Sequence, residues 1–272
     1  MNPHPSIVAH RGYHHKDRNR PGRPLENTLS AFEEAWKMGY TYCECDVNMT
    51  TDGEFFIWHD PIWSTDALLD KSSPAKGMAL AECNSDMVFN TVVLRDGSHP
   101  CKLVDVLECA KRLTQGNDVK QLILELKLYS GQKEIRGKFA NLLMEFLFDE
   151  RPDLLPHVAI IMSFDLDLMR CVARNYGLSR RPLLMFLTSH LTFDATSEHA
   201  VKKALAMKDD TGIDGLYLCF EEIMLKRGYI PEKNLRELTE EMSIGIWGCP
   251  SDQGKIDSLI KKGVGFVNSD LE

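Results

Sequence analysis

Short apolar segments, many rich in β-branched or aromatic residues, alternate along this chain with longer stretches of helical periodicity, and that alternation restricts the fold more than any other feature. Strands are predicted at 6–10, 42–47, 55–60, 121–128, 158–164, 182–187, 215–220, 244–248 and 265–269. Helices are predicted at 28–39, 103–113, 137–150, 166–177, 197–207, 234–242 and 253–263. Gly39, Gly177 and Gly263 close three of these helices, where a left-handed cap needs a residue without Cβ. Eight parallel strands with eight helices close into a barrel of about 250 residues. At 272 residues, the chain is therefore expected to be an α/β protein of the (β/α)8 TIM-barrel type rather than an open doubly wound sheet. One strand is surplus. No helix separates 42–47 from 55–60, so a hairpin or helix-less step is expected, with the barrel irregular around its second and third strands. Residues 61–100 carry Pro61, Pro74, Gly77, Gly97 and Pro100 with weak periodicity, and read as a short insertion in a single 1–272 domain.

Composition excludes several classes of function. The formal net charge of −8 argues against a broad phosphate-backbone surface, so nucleic acid is not an expected partner, although a local basic cluster could hold one phosphate. Eight cysteines contain no C-x-x-C pair, which suits reduced, mostly buried thiols in a cytoplasmic protein better than a zinc ribbon or disulfide scaffold. The start "MNPHPSIVAHRG" lacks the apolar core of a signal peptide, and no apolar run approaches the ~20 residues of a membrane span. No stable membrane insertion is expected.

The strands end in charges. Alternation in "YCECDV" puts Glu44 and Asp46 on one face and Cys43, Cys45 and Val47 on the other. In "LILELKL", Ile123, Glu125 and Lys127 likewise share a face. Buried carboxylates need ion-pair partners or a metal. Pairing with Arg11 and Lys127 is the bland alternative. Against it stands the clustering of Glu44, Asp46, Glu125, His10 and His59 at strand ends, because function in such a barrel collects at the C-terminal rim. Two Glu and one Asp suit a hard cation, Mg²⁺ or Ca²⁺, better than zinc. His10 and His59 each follow an apolar run, as "HR" and "HD", the placement of a general acid and a general base. With one Lys and one Arg, the set could hydrolyse a phosphate ester.

"HRG" at 10–12, "ENTLSAF" at 26–32, "ECD" at 44–46, "TDGEFFIWHD" at 51–60, "ELK" at 125–127 and "MSFD" at 162–165 together resemble the glycerophosphodiester phosphodiesterase family. The resemblance implies a barrel that cleaves glycerophosphodiesters to glycerol 3-phosphate and a free alcohol. It implies a divalent cation on Glu44, Asp46 and Glu125, with His10 and His59 as the acid–base pair. Arg11 and Lys127 would hold the phosphate, and Glu26 would sit beside the site as a further ligand or a loop brace. Trp247 falls on the family's late Trp strand, on the alcohol side, but is followed by Gly248-Cys249-Pro250 rather than by Thr and a polar residue. Ser269-Asp270 resembles the family's closing Thr-Asp.

The loop "RGYHHKDRNRPGRP" is basic, and reads either as solvated surface or as a hold on an anionic headgroup, with His14 and His15 as loop surface. "TSHLTF" at 188–193 reads as the sixth strand's exit loop, and "LYLCFEEIMLKRGY" as core packing. Two further functional readings stay open. One keeps the catalytic core but accepts a lysolipid or closes a cyclic phosphate, for which 61–100 offers only Ile62, Trp63, Leu68 and Leu69 as scattered apolar candidates. The other is a catalytically silent barrel that binds a phosphate ligand.

Overall fold

The computed structural model describes residues 6–14, 22–65, 67–129, 132–175, 181–189, 191–220 and 232–271. All nine predicted strands form: β1 (Ile7–His10), β2 (Tyr42–Met49), β3 (Phe55–Ile57), β4 (Gln121–Leu126), β5 (Val158–Ser163), β6 (Leu183–Leu187), β7 (Gly215–Cys219), β8 (Ser243–Cys249) and β9 (Phe266–Ser269). Eight run parallel in the order β1-β9-β8-β7-β6-β5-β4-β2, and a further β1–β2 pairing closes the ring. The fold is a (β/α)8 barrel. The surplus strand is β3, which pairs antiparallel with β2 alone (Val47 beside Ile57, Met49 beside Phe55) and so forms the hairpin, one of the two arrangements the helix-free connection left open.

The predicted helices surround the ring as α1 (Leu29–Lys37), α3 (Leu103–Leu113), α4 (Arg136–Glu145, continued by a π-helical turn to Glu150), α5 (Leu166–Asn175), α6 (Ala200–Thr211), α7 (Glu232–Glu241) and α8 (Gln253–Lys261). Gly39 and Gly263 take the expected left-handed φ of 94° and 90°; Gly177 lies outside the described residues, as do residues 15–21 of the basic loop, His15 among them, and all of "EEIMLKRGY". Strand alternation separates two apolar layers. Val8, Ile123, Ile160, Met162, Met185, Leu187 and Tyr217 pack inside the ring. Cys43, Cys45, Val47, Leu122, Leu124 and Leu126 pack outward against the helices.

The 61–100 segment is more ordered than its weak periodicity suggests. It contains α2 (Ser85–Thr91), whose first turn is capped by Asn84 accepting from the Met87 amide at 2.8 Å. Trp63, Leu68, Leu80, Val88 and Leu94 form a core of their own with Phe56 of β3. This corrects one expectation: Trp63 and Leu68 are buried, and only Ile62 and Leu69 of the four apolar candidates are exposed.

Candidate functional site

Strand register assembles the site. In the β2–β4 pair Asp46 lies beside Glu125, and in the β1–β2 pair His10 lies beside Glu44. Since Glu44 and Asp46 are two residues apart, all of these side chains project to the inside of the ring, above the apolar floor that includes Ile123. One oxygen from each of Glu44, Asp46 and Glu125 lies within 4.8 Å of the other two, and all three residues are buried. Cys43 and Cys45 point into the outer layer, so the strand phase read from the sequence holds. All eight thiols are free, and all but Cys171 are buried.

Ion pairs and hydrogen bonds serve some of these buried acids. Asp46, fully buried, is ion-paired with Arg11 (Nε 3.0 Å from Oδ2) and Lys127 (Nζ 3.0 Å from Oδ1), and Lys127 also bonds Glu125. Arg11 Nη1 reaches Glu26 Oε1 at 3.1 Å, so Glu26 braces the arginine. Asn27, in the left-handed region at φ 59°, grips Asp46 twice: its amide donates to Oδ2 at 2.7 Å and its carbonyl accepts the Asp46 N–H at 3.3 Å. Such a bond to a buried charge is worth about 1.5–3 kcal/mol. Glu44 is served differently. Its Oε2 takes the Arg11 amide at 3.3 Å and lies 3.8 Å from His10 Nε2, whereas its buried Oε1 has no hydrogen-bond donor among the described residues.

The electrostatics follow this unequal service. Burial pushes the Glu44 carboxyl well above the usual range, and the charges of Asp46 and Glu125 push the same way. Glu125 is also raised by burial, opposed by Lys127. Burial would raise Asp46 as well, but Lys127, Arg11, His59 and the Asn27 bond outweigh it and hold this carboxyl below its ordinary value. Among the described residues, four carboxylates, counting Glu26, thus face two fixed cations, Arg11 and Lys127. The excess negative charge, the all-oxygen donor set and the unserved Glu44 oxygen fit a hard divalent cation.

His10 and His59 lie on the same rim. His10 Nδ1 is 2.6 Å from Asp270 Oδ1, and His59 Nδ1 is 2.9 Å from Asp60 Oδ1. The Tyr129 hydroxyl donates to the His59 carbonyl. At Arg11 (φ 53°) and Gly12 (φ 80°) the chain turns sharply out of β1, and a Cβ on Gly12 would come within 2.6 Å of the Ala31 backbone, so "HRG" needs its glycine. Trp247 lies near the C-terminal end of β8, where its Nε1 donates to the Thr188 carbonyl at 3.1 Å and its ring meets Phe164 edge-on at 5.6 Å. Directly after it, Gly248 takes φ 71° within a β8–β9 register shift, which turns Cys249 back into the core.

The sequence reading gave three participants no part in the site. Asn27 stood inside "ENTLSAF" and an Asn before a helix start is a known left-handed candidate, but its partner is 19 residues away. Asp270 gave no local sign of its link to His10. His14, expected at the loop surface, is instead buried, with Nε2 3.7 Å from Asp270 Oδ1.

The sequence model of the glycerophosphoryl diester phosphodiesterase family matches residues 10–209. Among curated proteins, a probable glycerophosphodiester phosphodiesterase 1 of Mycobacterium tuberculosis is 39% identical over 75 residues, which is 28% of this chain and only 23% of that protein's length. Solved structures match nearly throughout. A putative glycerophosphoryl diester phosphodiesterase from Silicibacter pomeroyi aligns with TM-score 0.74 at 18% identity, covering 99% of this chain and 92% of its own. An Oleispira antarctica phosphodiesterase in complex with the product sn-glycerol-3-phosphate aligns with TM-score 0.70 at 16% identity, covering 98% and 93%.

Proposed function

Because the chain belongs to the glycerophosphoryl diester phosphodiesterase family, we propose that it hydrolyses glycerophosphodiesters to glycerol 3-phosphate and an alcohol, with a divalent cation and the His10–His59 pair. One observation carries this reading: three buried acids, with an unserved oxygen on Glu44, stand beside an imidazole and two fixed cations. Glu44, Asp46 and Glu125 would hold the cation, Mg²⁺ or Ca²⁺, which when bound supplies charge to polarise the phosphoryl group. Arg11 and Lys127 keep Asp46 ionised and add positive charge where the phosphate would lie. One histidine accepts the proton of the attacking water as its oxygen bonds to phosphorus. The other delivers a proton to the alcohol oxygen as the P–O bond breaks. Glu26 keeps Arg11 in place, and Trp247 with Phe164 lines the alcohol side. On this proposal 1–272 is one catalytic domain with an insertion at 61–100, active in the cytoplasm. Among the described residues no helix is long and apolar enough to cross a membrane.

The product bound in the Oleispira protein, sn-glycerol-3-phosphate, supports the glycerol 3-phosphate half of the reading. A lysolipid substrate gains support from a different observation: Phe164 and Leu191, just beyond β5 and β6, are 42% and 84% exposed. A silent phosphate-binding barrel is disfavoured because every charged position of the set is present and assembled. Product analysis with glycerophosphocholine, a lysophospholipid and one metal at a time decides among the three. Glycerol 3-phosphate from the soluble diester supports the main reading, and turnover of the lysolipid alone would replace it. No turnover of either, with any metal, would leave the silent barrel.

A further inference from the structure

His10 stands at the end of β1, and the group that meets its far nitrogen comes from the other end of the chain. Asp270, directly after β9, places Oδ1 2.6 Å from His10 Nδ1, across 260 residues of sequence. A carboxylate has no proton to give, so the bridging proton belongs to Nδ1. The opposite nitrogen, Nε2, then carries the lone pair, and it is the one that faces the acidic site, 3.8 Å from Glu44 Oε2. The carboxylate is itself secured. His14 faces the same Oδ1, with its ring 6.4 Å from that of His10. Arg23 donates to the Leu271 carbonyl at 2.8 Å and to the His14 carbonyl at 3.4 Å while its guanidinium lies 4.2 Å above the Tyr13 ring. The end of β9 is thereby clamped to the segment that follows His10.

We infer that Asp270 is a positioning residue: it fixes the ring and the Nδ1–H tautomer of His10, so that Nε2 is the nitrogen that exchanges protons with substrate. A carboxylate there also stabilises the imidazolium formed when Nε2 takes up a proton, as the acid of a nucleophile–His–Asp triad does. The His10 hydrogen bond, with the His14 ring nearby, holds Asp270 below its usual carboxyl range and so ionised, as this role requires. The inference rests on the proposed acid–base role of His10, and its test separates the two.

Ring-¹⁵N-histidine NMR, with the His10 signals identified by their loss in His10→Ala, should show the Nδ1–H tautomer in the wild-type protein and its loss in Asp270→Asn, whose amide can donate to Nδ1. In Asp270→Asn, kcat should fall on the order of 10²- to 10⁴-fold, with KM within about 3-fold. Mn²⁺ affinity should be unchanged, and the Asp270→Asn/His10→Ala double variant should be no slower than His10→Ala alone. An Nε2–H tautomer in the wild type overturns the inference, and that measurement holds even if Asp270→Asn does not fold. So does a kcat for Asp270→Asn within about 3-fold of wild type while His10→Ala is crippled. Should wild type turn over no phosphodiester, the functional reading falls instead, and the tautomer still decides what Asp270 does.

Discussion

The two histidines of the site are mounted in opposite ways. His59 is held by its own neighbourhood: Asp60, the next residue, meets Nδ1 at 2.9 Å, and Asn48 of the paired strand donates to the adjacent Trp58 carbonyl at 2.5 Å. His10 is held by Asp270, from the far side of the chain, and that contact exists only because β1 pairs with β9 to close the ring. The first mount is mainly a property of a hairpin, with Tyr129 beyond β4 as its one distant support among the contacts described, and the second is a property of the whole barrel. Anything that loosens ring closure should therefore reach His10 before it reaches His59.

The broadest test removes what both mounts serve. Chelation should abolish turnover, and Mg²⁺ or Ca²⁺ should restore it, because Glu44, Asp46 and Glu125 cannot all stay ionised together without added positive charge. Full activity in excess chelator would end the proposal of a catalytic cation. Next, His10→Ala or His59→Ala should each cost on the order of 10²- to 10⁴-fold in turnover with little change in cation affinity, and the double variant should be little worse. Additive losses would show that the two rings act in separate steps.

The acids and the thiols of β2 should part company. Glu44→Ala, Asp46→Ala or Glu125→Ala should lower cation affinity measured by calorimetry, whereas Cys43→Ala and Cys45→Ala should not, since they face the helices. Cation release by the cysteine variants would invert the strand's faces. Affinity in the wild type should also weaken as pH falls. Glu44 and Glu125 hold protons above the ordinary carboxyl range, and the cation must displace them.

Smaller effects grade the mounts themselves. Tyr129→Phe removes the hydroxyl that holds the His59 carbonyl, a loss of about 1 kcal/mol or roughly 5-fold in kcat. An equal loss in a His59→Ala background would mean that Tyr129 acts elsewhere. Smallest of all should be His157→Ala, at the N-terminal end of β5, where Nδ1 bonds the Lys120 carbonyl at 2.9 Å. Turnover should stay within a few-fold, under ~1.4 kcal/mol, while the melting temperature falls. An essential His157 would put the active face at the wrong end of the barrel.

What the sequence by itself determined is what a strand or a helix decides over a few residues. The period of two put Glu44 and Asp46 together and turned Cys43 and Cys45 away; the missing helix before "FFIWHD" left a hairpin or a helix-less step; "HD" already contained His59 and its carboxylate. What only the tertiary structure decided are the contacts made by register and closure. Asn27 reaches Asp46 through a left-handed turn, Asp270 reaches His10 across the closing seam, and His14 is drawn out of a basic loop into that same contact. The 61–100 segment belongs with these, since its side chains are ordered by a core shared with Phe56 rather than by a period of their own. Side-chain direction is fixed by local backbone geometry, so it is written in every short stretch. Which strand ends meet depends on the register of every pairing around the ring, and no short stretch contains that.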